Sequence, residues 1–292
     1  MRIGSAWLWL LGVSAAVATA GAGAQDRPTD AKGTWLLGVG AQVDEDSNDS
    51  VLATLDVGVE RSTWLTLTAG RATSPADRAD IEANTVVLGV DHRFPKVGFT
   101  LEAEKWGDSG ALETQSLAGS VYFDRDDWRV GFRYQTRNIE IPFTVTGPLG
   151  NTFRRTVSVA ADSYAFDARV AVAERWKLYL GLAEYDYSRN LGVLPRIDAL
   201  NLLSTSTLTL ANSFIDHERS IGAEREIKNS LLNVRFATDR SAVDDSKFET
   251  FEISGLVPLG GRVDLEINLG SGRSDFIDAG LYGGLLLLVY SR

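Results

Sequence analysis

Apolar residues occupy every second position in one segment after another of this chain. Val51, Ala53, Leu55, Val57 and Val59 alternate with Leu52, Thr54, Asp56, Gly58 and Glu60. Trp128, Val130, Phe132 and Tyr134 alternate with Arg129, Gly131, Arg133 and Gln135. Successive side chains of a strand point to opposite faces, so each segment carries one apolar wall and one polar wall. The pattern predicts fourteen strands, at 34–43, 50–61, 64–72, 84–94, 97–106, 114–123, 128–137, 162–172, 176–187, 206–225, 230–239, 248–257, 262–270 and 279–290. Asp216-His217-Glu218-Arg219 interrupts the tenth with charge.

Two architectures use such strands. In a soluble sandwich the apolar wall meets a second sheet; in a transmembrane barrel it meets lipid while the polar wall lines a lumen. The connections discriminate between them. Tight joints at 62–63, 95–96, 124–127, 173–175 and 258–261 alternate with longer polar gaps such as 44–49, 73–83 and 271–277. Short turns at one end and longer loops at the other are the mark of a barrel whose chain enters from the periplasm. Trp64, Phe94, Trp106, Phe123, Trp128, Trp176, Phe248 and Tyr290 fall at strand ends, where interfacial girdles form.

The N-terminus names the compartment. Arg2 gives a positive start, Trp7 to Val13 an apolar core, and Ala22-Gly23-Ala24 a small-x-small cleavage site. Residues 1–24 therefore read as a cleaved secretory signal peptide. Residues 25–33 follow as a short periplasmic segment, and 34–292 as one barrel. The formal net charge of −10 becomes −11 when the leader removes one arginine, which argues against a nucleic-acid partner. With no cysteine there are no disulfides, thiolate metal sites or thiol nucleophiles.

On this pattern the chain resembles bacterial outer-membrane β-barrel proteins of the porin-like class, over residues 34–292. Gly283-Gly284-Leu285-Leu286-Leu287-Leu288-Val289-Tyr290 looks like the closing strand such proteins present to the barrel-assembly machinery, although Ser291-Arg292 follow its aromatic. The resemblance implies an all-β, single antiparallel transmembrane barrel of about fourteen strands with both termini periplasmic. Its partners would be outer-membrane lipid and lipopolysaccharide, the assembly machinery during biogenesis, and small solutes.

If alternate residues face inward, Asp56, Glu102, Arg133, Asp167, Arg169, Arg235, Glu252 and Glu266 line the lumen. Glu252, Asp264, Glu266, Asp56 and Glu60 make one wall acidic, whereas Arg129, Arg133 and Arg169 make another basic. Opposed charge across a narrow passage gives a transverse field that filters polar solutes; inward charges that simply pair with neighbours are the alternative. The leading expectation is a porin-like channel for passive or selective diffusion of small polar solutes. A non-conducting structural, adhesion or envelope-assembly barrel acting through its loops is a second, and a carrier of an apolar ligand a third.

Two outer segments bear on that choice. Apolar positions are even from Trp128 to Tyr134 but odd at Ile139, Ile141, Phe143 and Val145; Phe153, Val157 and Val159 then give way to Tyr164 and Phe166. Such a parity change predicts a bulge or a departure from the wall. Ile139, Ile141, Phe143 and Val157 become candidates for contact, with packing over the mouth favoured. In 188–204, Pro195 can open a short helix with Ile197, Leu200 and Leu203 on one side.

No catalytic residue, metal site or cofactor is expected. Only His92 and His217 are present, and G-x-S-x-G is missing. In a regular strand Asp216 and His217 would point to opposite faces, which precludes an orienting hydrogen bond.

Overall fold

The alternation resolves into a closed wall. The computed structural model describes residues 32–45, 47–74, 81–108, 112–146, 152–188, 214–242, 245–275 and 277–291. The strands are β1 (Trp35–Asp44), β2 (Asp49–Glu60), β3 (Thr63–Ser74), β4 (Ile81–Arg93), β5 (Val97–Asp108), β6 (Leu112–Arg125) and β7 (Trp128–Thr146). They continue as β8 (Thr152–Ala173), β9 (Trp176–Tyr187), β10 (Ile215–Ile227), β11 (Ser230–Ser241), β12 (Lys247–Gly260), β13 (Val263–Ser274) and β14 (Ile277–Tyr290). Each pairs antiparallel with its chain neighbours, and β1 pairs with β14 from Leu36↔Tyr290 to Asp44↔Tyr282. Fourteen tilted strands spaced about 4.8 Å apart enclose a cylinder about 28 Å across the backbone.

Both described ends of the chain lie at the tight-turn end. The Trp35 N–H donates to the Ser291 hydroxyl at 2.5 Å, and the Ser291 N–H donates to the Trp35 carbonyl at 2.8 Å. The expected leader, and the loop helix sought in 188–204 apart from Ser188, fall outside the described residues.

The outer wall is apolar over a continuous band. Val39, Val51, Leu55, Leu67, Leu88, Leu101, Leu117, Phe132, Phe166, Leu180, Phe236, Phe251, Ile267 and Leu285 all point outward and are exposed. On β1 the band runs from Trp35 to Val43, which at the usual strand rise and tilt climbs about 20 Å, close to the apolar height of an outer membrane. Trp35, Phe94, Phe99, Phe123, Trp128 and Trp176 ring its tight-turn edge, where indole and phenyl rings meet headgroups. Trp64, Trp106 and Phe248, expected in these girdles, are instead buried inside. They sit at even positions of β3, β5 and β12, and even positions there face the lumen.

Replacing Leu101 with Arg at mid-height of this band is expected to destabilise the barrel by about 2–4 kcal/mol. Urea titration of protein folded into vesicles checks this; an unmoved midpoint would mean that the wall meets protein rather than lipid.

Two sequence expectations change. Of the bulge or departure from the wall predicted here, the bulge is not there: β7 and β8 pair without a slip from Trp128↔Val170 to Thr146↔Thr152, and beyond Glu140 and Ala161 they run on past β6 and β9 paired only with each other. Parity is kept, and it is the chemistry of the inner face that changes from polar to apolar. Conversely, β10 is described from Ile215, the predicted 206–213 lying outside the described residues, and its register against β11 slips between Ile215 and His217. The extra residue is Asp216. Because a bulge lets neighbouring side chains share one side, His217 Nδ1 and Asp216 Oδ2 meet at 3.1 Å.

Candidate functional site: the lumen and its outer end

All eight charged residues singled out above sit at inward positions of their strands, and most are engaged by neighbours. Arg133 pairs with Glu102 at 2.6 Å, Arg235 with Glu218 at 2.9 Å, and Arg169 with Glu224, whose carboxylate also has Lys177 Nζ at 3.5 Å. Asp56 accepts a hydrogen bond from the Thr66 hydroxyl at 2.5 Å. Asp167 reaches over Gly131, where a Cβ would stand 2.2 Å from its Oδ1. Strands β7 and β8 do lie across the lumen from β14 and β1, so basic and acidic walls oppose each other. Local pairing, however, takes up much of the charge that a transverse field would need.

Three tyrosines brace the inner wall in the same way. Tyr122 on β6 lies over Gly98 of β5, and its hydroxyl donates to Asp91 of β4 at 2.9 Å. Tyr179 on β9 lies over Gly222 of β10 and donates to Asn233 of β11 at 2.7 Å. Tyr282 on β14 lies over Gly270 of β13 and donates to Glu252 of β12 at 3.1 Å. In each case tyrosine and glycine are direct cross-strand partners. A ring laid flat on a glycine covers exposed backbone and leaves the passage clear. The guanidinium of Arg129 then stacks on Tyr122, 3.9 Å from its centroid.

The loop end of the lumen is different. Ile139 and Ile141 of β7 are 0% and 2% exposed, and Val159 of β8 is 0% exposed. Leu112, Trp106, Phe214, Ile215 and Phe248 are buried at the same end. The Tyr187 ring is 6.3 Å from that of Phe214, and its hydroxyl donates to the Ile215 carbonyl at 2.7 Å. Together these side chains form an apolar collar on the inner face at the loop end of the wall. Of the four contact candidates, Ile139 and Ile141 belong to it, Val157 is half-buried beside them, and only the backbone of Phe143 is described.

Leu112, Phe214 and the three tyrosines went unrecognised in the sequence. A tyrosine facing a glycine becomes visible only once register is known. Leu112 and Phe214 stand at strand starts, where an isolated apolar residue has no periodicity to announce its direction.

A closed fourteen-stranded antiparallel ring, apolar outside and polar within, is the architecture of outer-membrane β-barrel proteins. Among solved structures the chain is similar to the CymD monoaromatic hydrocarbon channel, with TM-score 0.55 and 9% identity over 92% of both chains. It is also similar to outer-membrane expressed OmpT of Vibrio cholerae (TM-score 0.49, 9% identity, 88% of this chain and 97% of that one) and to the NanC porin (TM-score 0.41, 9% identity, 88% and 100%). At such identities the likeness is one of fold. No protein family model and no curated protein matches the chain.

Proposed function

We propose that this barrel is an outer-membrane channel for small polar solutes, closed at its loop end by the apolar collar. The observation that carries the reading is the division of the inner wall. Across the membrane band it is built from Thr54, Thr68, Gln135, Ser163, Ser254 and paired charges, whereas Ile139, Ile141 and Val159 stop it at one end. A polar wall supports a column of water, and a hydrophobic constriction interrupts that column by dewetting. The tight-turn end, which holds both termini, faces the periplasm in this reading, and the collar faces outward. No catalytic role is proposed for the Asp216–His217 pair. It lies on the outer side of the wall at the loop end, where Glu184 and Arg240 flank it across the register.

Planar-bilayer recording and liposome swelling test the proposal. The expected result is low, intermittent conductance with slow passage of small neutral solutes. Glu252→Gln with Glu266→Gln should shift whatever cation preference is seen. A barrel that passes nothing, even with its collar made polar, would overturn the reading.

The collar itself favours a second reading, in which it receives small apolar molecules; the monoaromatic hydrocarbon channel named above shares the fold. Trp106 stands in the collar, so toluene should quench its emission, measured as the difference from Trp106→Phe, if that reading is correct.

A further inference from the structure

One recess of the lumen wall holds polar groups that the fold leaves without partners. It lies at the β1–β14 closure, a cavity of about 30 Å³ lined by Gln42, Ser50, Glu266, Asn268 and Gly284. Glycines make its floor: a Cβ on Gly284 would come within 2.5 Å of Asn268 Oδ1 and 3.2 Å of Gln42 Cβ, and one on Gly40 within 3.1 Å of Leu286. Gln42 is only 6% exposed, yet its Nε2 donates to nothing; Asn268 Oδ1 is buried and accepts nothing. Buried polar groups are nearly always satisfied, so a donor and an acceptor left unmade side by side call for a partner. Beside them stands the Glu266 carboxylate, a further acceptor, with no lysine or arginine among its described ion-pair partners.

The chemistry of these three groups selects the ligand. One is a donor, one an acceptor, and the third a carboxylate. A hydroxyl oxygen can accept from Gln42 Nε2 while its proton is donated to Asn268 Oδ1, and an adjacent hydroxyl can donate to Glu266. A metal ion or an ammonium group would instead confront the Gln42 N–H. The volume suits two oxygen atoms, since one water needs about 10–15 Å³. We propose that the recess is a docking point for the vicinal diol of a neutral sugar or polyol. The proposal rests on the polar-solute channel reading and names the class of solute within it.

The test measures binding, not flow. The full chain folded in detergent is titrated with cis-1,2-cyclohexanediol and with cyclohexanol, read by saturation-transfer NMR. The diol should bind several-fold tighter than the mono-alcohol. Gln42→Met and Asn268→Leu should each weaken the diol by roughly three- to tenfold, whereas the mono-alcohol, lacking the second hydroxyl, should stay the weaker ligand throughout. Because both remove an unsatisfied buried group, neither should lower the urea midpoint, which keeps a folding defect from mimicking the result. Diol affinity indifferent to both variants would overturn the proposal, as would displacement of the diol by sodium or calcium ions, which would assign the recess to a cation. Diol binding in a barrel that never conducts would sink the channel reading and leave the subsite standing.

Discussion

Changing Ile139 and Ile141 together to asparagine should turn a mostly closed barrel into a conducting one. Both side chains are sealed from water at the loop end of the lumen and face inward from β7. Ile139 is paired on both sides, with Thr114 and Val159, and Ile141 with Val157 of β8, so the backbone is held while the inner surface changes. Two buried amides with no partners in an apolar collar draw water in, because leaving them dry is worth several kcal/mol against the folded state. A dewetted constriction that wets gains conductance steeply, here expected on the order of tenfold. Single-channel recording in planar bilayers checks it, with Glu140→Asn as control because Glu140 lies between the two but points away from the lumen. Equal conductance in wild type and double variant would show that the collar does not control the passage.

The second large effect lies in the tyrosine braces. In Gly270→Ala the new methyl carbon would stand 2.1 Å from the Tyr282 ring. The ring is the free end of a side chain, so it can swing off the wall, but only by abandoning its hydrogen bond to Glu252. Glu252 is 5% exposed, and a buried carboxylate that loses its donor destabilises the barrel by about 2 kcal/mol. The displaced ring would also stand in the passage. Urea unfolding midpoints should therefore fall, and conductance with them, in Gly270→Ala. Gly260→Ala, with nothing within 4 Å of the added carbon, should match wild type. Identical stability of the two variants would remove the braces from the account of what holds this wall.

The strands were legible because one elementary rule, alternation, governs a wall with lipid on one side and water on the other. It places Asp56, Glu102, Arg133 and Glu252 inward with no other information, since parity alone decides direction. The same rule misled where its premise changed. At Ile139 and Ile141 the inner face turned apolar while the strand ran on unchanged, and the pattern could not distinguish a new lining from a bulge. At Asp216 the reverse held: the sequence showed only an interrupting run of charge where the strand carries a bulge, and His217 met a neighbour it had seemed unable to reach. Partnerships along the inner wall, such as Arg133 with Glu102 or Tyr282 with Glu252, depend on register and strand order, which a single chain does not print. Gln42 and Asn268 lie 226 positions apart in the sequence and meet only because β1 closes on β14.

The clasp between Trp35 and Ser291 joins residues 256 positions apart. In a bilayer an unclosed sheet would present two rows of naked amides to hydrocarbon, so no partial circle is a resting place. Assembly of this wall is thus an event of the whole chain: the first strand must wait, sheltered, until the last arrives. A lesion near either extremity is expected to act first on closure of the wall.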